Sequence, residues 1–362
     1  TFLESFAEMP GPKTNFNNKQ ASWLVWFMFI GVIPSVAGMG GLIGAVAESG
    51  YLMISIISIE TWVFILCLIT WLILYIGGYQ SLEKILLAMV FIFSVVTLII
   101  AIAMQSTTFS IQAEDILRGL SFKFPTEHTA LALAVFGFTG ISYGEIMAYT
   151  YWCKEKGYSN HDGDPRQVRN WIKTMQTDVW ITVFLVTIGT IPFFLLGASI
   201  LNSQGLYPPP NGDIIQTLLV MFTSILGEWA RWFFIPLTFF VLFSTFLSGT
   251  AAFTRTITDY FISMGLIIER GNTRQELVHL IAFLIPAFSC IAYFILPNPV
   301  LLLMIAGIWA ALGLPIVNIG ALYLVNKLDK EFQPSNLTKK ILTITLILQL
   351  SIAGLLVISQ IS

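Results

Sequence analysis

Long apolar runs separated by short polar ones dominate this chain. Nine stretches are apolar over about 18 residues or more, the length that crosses a bilayer core. They fall at 30–54, 60–78, 83–104, 129–152, 179–202, 232–254, 278–297, 299–324 and 340–361. The first two are nearly continuous, because only Glu48 and Glu60 carry charge between Ala21 and Thr61; the turn is expected near 55–60. A shorter amphipathic piece at 213–226 precedes the sixth span and is expected at the membrane surface. The pattern predicts an all-α polytopic membrane protein.

Composition agrees. Charged residues make up 10% of 362 residues, against roughly 25% in a soluble domain, and mean hydropathy is +0.81. A soluble enzyme, a disordered chain and a nucleic-acid binder are excluded on these grounds; the net charge of −2 offers no basic field for phosphates. With the N-terminus placed in the cytoplasm, 15 Lys and Arg fall inside and only Arg118, Lys123 and Arg231 outside. Cytoplasmic loops carry such an excess, so the C-terminus is expected outside. Trp62, Trp152, Trp180, Trp229 and Trp232 sit near span ends, where interfacial anchors belong.

Candidate chemistry concentrates in the fourth span. Gly137, Gly140 and Gly144 lie within eight residues near its centre, with Thr139, Ile141, Ser142, Tyr143 and Glu145 among them. Glycine in a helix interior costs about 1 kcal/mol relative to alanine. Mid-membrane breaks of this kind present free carbonyls to an ion or solute; close helix contact at small residues is the competing account. Glu145 either faces a wet cavity or hydrates at the inner surface, because an intramembrane carboxylate is costly. Glu48 reads as an interfacial carboxylate near the outer end of the first span. Gly38, Gly40, Gly41 and Gly44 read as a helix-contact face, and Pro315 as a kink in the eighth span. Cys67, Cys153 and Cys290 are far apart in the chain and read as small buried apolar residues. His128, His161 and His279 lie at or outside span ends. The sequon at Asn336 falls on the inner side and is discounted.

These pieces resemble the NRAMP group of divalent-metal transporters, in a divergent branch. The likeness rests on the Gly-Leu-Ile-Gly stretch at 41–44, the Gly-Tyr-Gln-Ser-Leu-Glu stretch at 78–83, the glycine-broken span at 137–144 and the Leu314-Pro315 span. It implies a LeuT-type inverted-repeat fold, in which the nine spans correspond to helices 3 to 11. The chain opens on Thr1 rather than Met, so residues 1–362 are expected to form one transporter domain lacking helices 1 and 2, and with them the family's Asp-Pro-Gly-Asn motif.

The resemblance also implies a substrate site. The family's Met-Pro-His falls on Ile141-Ser142-Tyr143, its helix-10 glutamine on Gly307, and its helix-3 acidic pair on Gly38 and Gly41. Soft thioether and imidazole ligands favour transition metals, whereas oxygen ligands suit harder ions. Mg2+ keeps several of its waters and needs room. The expected function is alternating-access transport of a divalent cation, a hydrated hard ion such as Mg2+, without obligate proton coupling. The expected site comprises Thr139, Gly140, Ile141, Ser142, Tyr143, Glu145 and Gly307, acting mostly through backbone or water. The partners are the cation and the lipid bilayer, and no cofactor is implied. Two other readings stand beside it: a same-fold carrier of a small organic solute walled by Phe136, Phe138 and Tyr143, and a non-transporting membrane subunit.

Overall fold

The computed structural model describes residues 2–77, 79–121, 129–158, 164–207 and 214–361. Gly78, Lys123, His128, His161 and the triproline at 208–210 fall outside the described residues, as do the side chains of the 78–83 motif.

The chain begins with α1 (Phe2–Ala7) and a hairpin of β1 (Lys13–Phe16) and β2 (Lys19–Ser22). There follow α2 (Trp23–Ile30), α3 (Val32–Met53), α4 (Ile59–Ile76), α5 (Tyr79–Met104), α6 (Ala113–Gly119), α7 (Thr129–Phe138), α8 (Tyr143–Glu155) and α9 (Pro165–Leu196). Then come α10 (Ile214–Leu226), α11 (Arg231–Ser263), α12 (Thr273–Ile295), α13 (Pro299–Lys327) and α14 (Asn336–Ile361). Among the described residues nine helical segments are long and apolar enough to cross a membrane, with α2–α3 and α7–α8 each forming one segment.

Local chemistry sets the boundaries. Ser58 caps α4 by accepting from the Thr61 N–H, and Gly77 ends that helix with φ +77°. The first two spans therefore separate at 54–58, as the sequence predicts. Asp164 and Asn298 cap α9 and α13, each followed by a proline suited to the first helical position. Several spans run longer than their apolar cores, the sixth among them, which continues through Arg255 and Asp259 to Ser263. The first starts at Trp23, with a joint at Gly31; the fifth starts at Pro165, so its charged opening turns extend past the apolar stretch.

The centre is α3, which packs on α13, α11, α12 and α4. Its glycine face admits neighbouring backbone, as expected. A Cβ on Gly40 would stand 2.7 Å from the Ser289 carbonyl oxygen, and one on Gly41 2.6 Å from that of Pro299. The second tight crossing joins α7 to α13. A Cβ on Gly137 would overlap the Gly307 carbonyl, and one on Gly307 would stand 2.6 Å from the Ala134 carbonyl oxygen. Small residues serve here because bilayer helices associate through close contact rather than through a hydrophobic drive.

Two expectations need correction. The helix at 214–226 does not merely rest on the surface: it buries Ile215, Leu219, Met221 and Phe222 against α5, α11 and the end of the fifth span. Glu48 is not interfacial but 5% exposed, and it accepts the Ile215 N–H at 2.8 Å. A carboxylate there satisfies an orphan donor at the α10 N-terminus and faces the positive end of its dipole. Cys67 and Cys290 are buried, as expected, and although remote in sequence they share one core cluster and meet through their thiols.

The polar connections at the end of the first span's N-terminus are tied together. Arg169 pairs with Glu331, and Arg274 reaches Asp259 at 3.2 Å. Arg255 lies 4.8 Å from the centre of the Trp152 ring, and Tyr158 stacks on Trp171 at 4.8 Å. His279 sits in α12 with its ring 5.2 Å from that of Tyr75.

Two outcomes follow from these contacts. Glu48→Ala leaves the Ile215 N–H without its charged partner and is expected to cost about 1.5–3 kcal/mol, read as a lower detergent melting temperature and faster amide exchange in α10. Gly137→Ala forces α7 off α13 at a cost of about 1–3 kcal/mol, whereas Gly140→Asn, in open space, costs less. Equal losses from the last two would contradict the crossing described here.

Candidate functional site

The fourth span is two half-helices. α7 ends at Phe138, α8 begins at Tyr143, and residues 139–142 between them are unwound. Gly140 takes φ +89°, a conformation disfavoured for other residues, and nothing lies within 4 Å of the position its Cβ would occupy. The break predicted from the glycines is therefore present, and Gly140 is its turning point.

Both half-helix ends are closed by their own side chains. The Thr139 hydroxyl donates to the Val135 carbonyl at 2.6 Å, which caps the end of α7. Ser142 and Glu145 form a capping box at the start of α8. The Glu145 carboxylate accepts the Ser142 N–H at 2.7 Å, and the Ser142 hydroxyl accepts the Glu145 N–H at 3.5 Å. Glu145 thus places negative charge at the positive end of a half-helix. The sequence leaves Glu145 either facing a wet cavity or hydrated at the inner surface; the Ser-Tyr-Gly-Glu spacing at 142–145 is the local signal for its capping role.

Tyr143 is directed inward and is 6% exposed. Its ring lies over Gly313 of α13, where a Cβ would stand 2.7 Å from ring carbon Cδ1. Its hydroxyl lies 3.4 Å from both the Gly31 carbonyl oxygen and the Ser35 hydroxyl. Gly31 is the joint between α2 and α3, and Ser35 also donates to its carbonyl, at 2.7 Å. The Trp309 indole N–H comes to the same spot, and the Trp309 ring stacks on Phe27 at 5.2 Å. A residue larger than glycine at 31 would strike both Trp309 and Tyr143.

The structure thus joins two interrupted helices at one place. Thr139, Gly140, Ile141, Ser142, Tyr143 and Glu145 lie in or beside the break. Gly307 lies one step away, against α7, where its Cβ would stand 2.9 Å from the Phe138 ring. Gly31, Ser35 and Trp309 were missed as site residues, because their roles arise from tertiary contact. Phe138 remains 47% exposed beside the break, whereas Phe136 is packed into the core.

The arrangement offers open backbone and few strong side-chain ligands. Among the described residues no group of three or more His, Cys, Asp or Glu could hold a metal ion. A cation at the break would meet carbonyls and water, an oxygen set that suits hard ions.

The comparisons agree with this geometry. Residues 13–359 match the family described as Nramp, natural resistance-associated macrophage protein-like. No curated protein matches the chain. With a match over nearly its whole length, and among the described residues nine apolar membrane-length helices, one of them broken, the chain belongs to the Nramp family of LeuT-fold membrane transporters, whose substrates are divalent metal ions.

Proposed function

We propose that the chain moves a hydrated hard divalent cation, Mg2+ by preference, by alternating access and without obligate proton coupling. The observation that carries this reading is the unwound 139–142 segment, with Gly140 open to its surroundings and no thioether or imidazole at 141–143. Broken helices near the bilayer midplane place carbonyls and half-helix ends around transported ions. Backbone at membrane depth stays unwound only where it is buried in protein or lines a wet cavity. An ion that keeps part of its water shell needs space and oxygen atoms rather than soft donors. Gly38 and Gly41 stand where the resemblance puts acidic residues, and both are committed to helix contact; this supports passage without a proton relay at α3.

Within this reading Thr139, Gly140, Ile141, Ser142 and Tyr143 contribute carbonyls or water contacts. Glu145 adds negative potential at the start of α8, and Gly307 leaves room where a side-chain donor would otherwise stand. Tyr143 acts as a peg between the α2–α3 joint and α13. Its burial against Gly313 removes it from any aromatic wall around an organic solute, and so supports the ion over that alternative. The first span's N-terminal end and the basic connections are assigned to the cytoplasm from the distribution of Lys and Arg.

The test is cation flux in proteoliposomes, with a Mg2+-sensitive dye and a pH dye on the inside. Mg2+ entry without internal acidification is expected. Mn2+ entry tightly coupled to acidification, with no Mg2+ flux, would falsify the reading. Ile141→Met restores a soft donor at the break and is expected to raise Mn2+ or Cd2+ uptake severalfold relative to Mg2+; an unchanged ratio would remove residue 141 from the ion path.

A further inference from the structure

A polar pocket lies at the N-terminal edge of the membrane domain, lined by none of the residues of the break. This pocket, of about 350 Å3, is lined by Glu4, Ala7 and Glu8 of α1 and its end, Lys13, Lys19 and Gln20 of the hairpin, and Ser263 at the end of α11. A water molecule's share of the liquid is about 30 Å3, so the space takes a polar group many times larger. We propose that this pocket seats a lipid headgroup carrying both a phosphodiester and a primary ammonium, as in phosphatidylethanolamine.

Three observations carry the assignment. The first is depth. The pocket lies where the first span begins at Trp23 and the sixth ends at Ser263. Phe16 and Trp23 are each 45% exposed there, as aromatic side chains at headgroup level are. The second is rigidity. The Asn17 side-chain amide donates to the Gly265 carbonyl at 2.7 Å, and the Ser22 hydroxyl donates to that of Phe6 at 2.6 Å. Leu3 and Phe6 anchor α1 in the core with no exposed surface. The walls are therefore held by core contacts and hydrogen bonds without a ligand.

The third is charge. Neither Lys13 nor Lys19 enters an ion pair among the described residues, so both ammonium groups stand ready for phosphate oxygens. Glu4 and Glu8 of α1 and its end line the same pocket; Glu4 already has an interaction of its own, and Lys327 of α13 lies within electrostatic reach of Glu8. Two carboxylates oppose a bare anion and two lysines oppose a bare cation. A headgroup that carries both charges is complementary to both pairs. The primary ammonium donates hydrogen bonds that a trimethylated one lacks, which sets ethanolamine apart from choline.

Detergent-purified protein is melted with short-chain phosphatidylethanolamine, phosphatidylglycerol, phosphatidylcholine and soluble phosphoethanolamine. The ethanolamine lipid is expected to raise the melting temperature most. Lys13→Ala with Lys19→Ala should abolish that rise, and Glu8→Gln should narrow the margin over phosphatidylglycerol. All substituted side chains are exposed, and elution of each variant as a monodisperse peak checks its fold. Equal shifts from all three lipids, or a rise untouched by the double lysine substitution, overturn the proposal. A full-sized shift from soluble phosphoethanolamine overturns the lipid as its source.

Discussion

A peptide group without a hydrogen-bond partner inside a bilayer costs several kcal/mol, and the architecture follows from where that cost arises. Among the described residues most spans meet the constraint through continuous helical bonding, and the first nearly so across its Gly31 joint; the fourth does not. Its unwound residues survive because both ends are finished locally, by Thr139 on α7 and by Ser142 with Glu145 on α8. The crossing of Gly137 with Gly307 then holds α7 on α13, so the interruption occurs on a fixed scaffold. Without that crossing, the two half-helices would be free to separate.

The same constraint explains why the interruption lies beside a second weak point. Gly31 joins α2 to α3, and its carbonyl accepts from Ser35 and lies within reach of the Tyr143 hydroxyl. Two joints that share one polar cluster move together at lower cost than two that must each be satisfied alone. Tyr143 supplies the mechanical link, with its ring on Gly313 and its hydroxyl at Gly31. A histidine or methionine at these positions would bring metal-binding atoms to the break; a tyrosine turned into the core brings volume and one hydroxyl.

The sequence made the nine spans legible because membrane length and apolarity are one-dimensional properties. The break was legible for a related reason: glycines at 137, 140 and 144 conflict with helix propensity wherever the rest of the fold stands. What stayed hidden depended on partners distant in the chain. Nothing local in Glu48 reveals that a helix will begin at Ile214 and present its Ile215 N–H to it. Nothing near Cys67 points to Cys290. The hairpin turn at Asn17-Asn18, with φ values of 47° and 61°, carried a local signal, since Asn tolerates positive φ. Glu145 was legible as an acid but not as a cap, because its partner Ser142 drew attention as a candidate ligand.

That double reading of Ser142 and Glu145 bears on how such a site acts on an ion. A capping box and a cation site draw on the same atoms in opposite ways. The box commits the Glu145 carboxylate to a backbone N–H, which lowers its availability as a direct ligand while leaving its charge in place. Of the unwound segment's carbonyls, that of Ser142 accepts the Ile146 N–H at 3.2 Å, which leaves those of Thr139, Gly140 and Ile141 outside the cap. On the function proposed above, an incoming cation would meet neutral oxygen atoms first, with the carboxylate acting through space. A direct carboxylate bond would hold a divalent ion tightly and slow its release. Carbonyl and water contacts backed by one distant charge permit both entry and departure, as a carrier requires. On that proposal, the absence of thioether and imidazole at 141–143 and the capping role of Glu145 are two expressions of one arrangement, a site that would attract a divalent ion without gripping it.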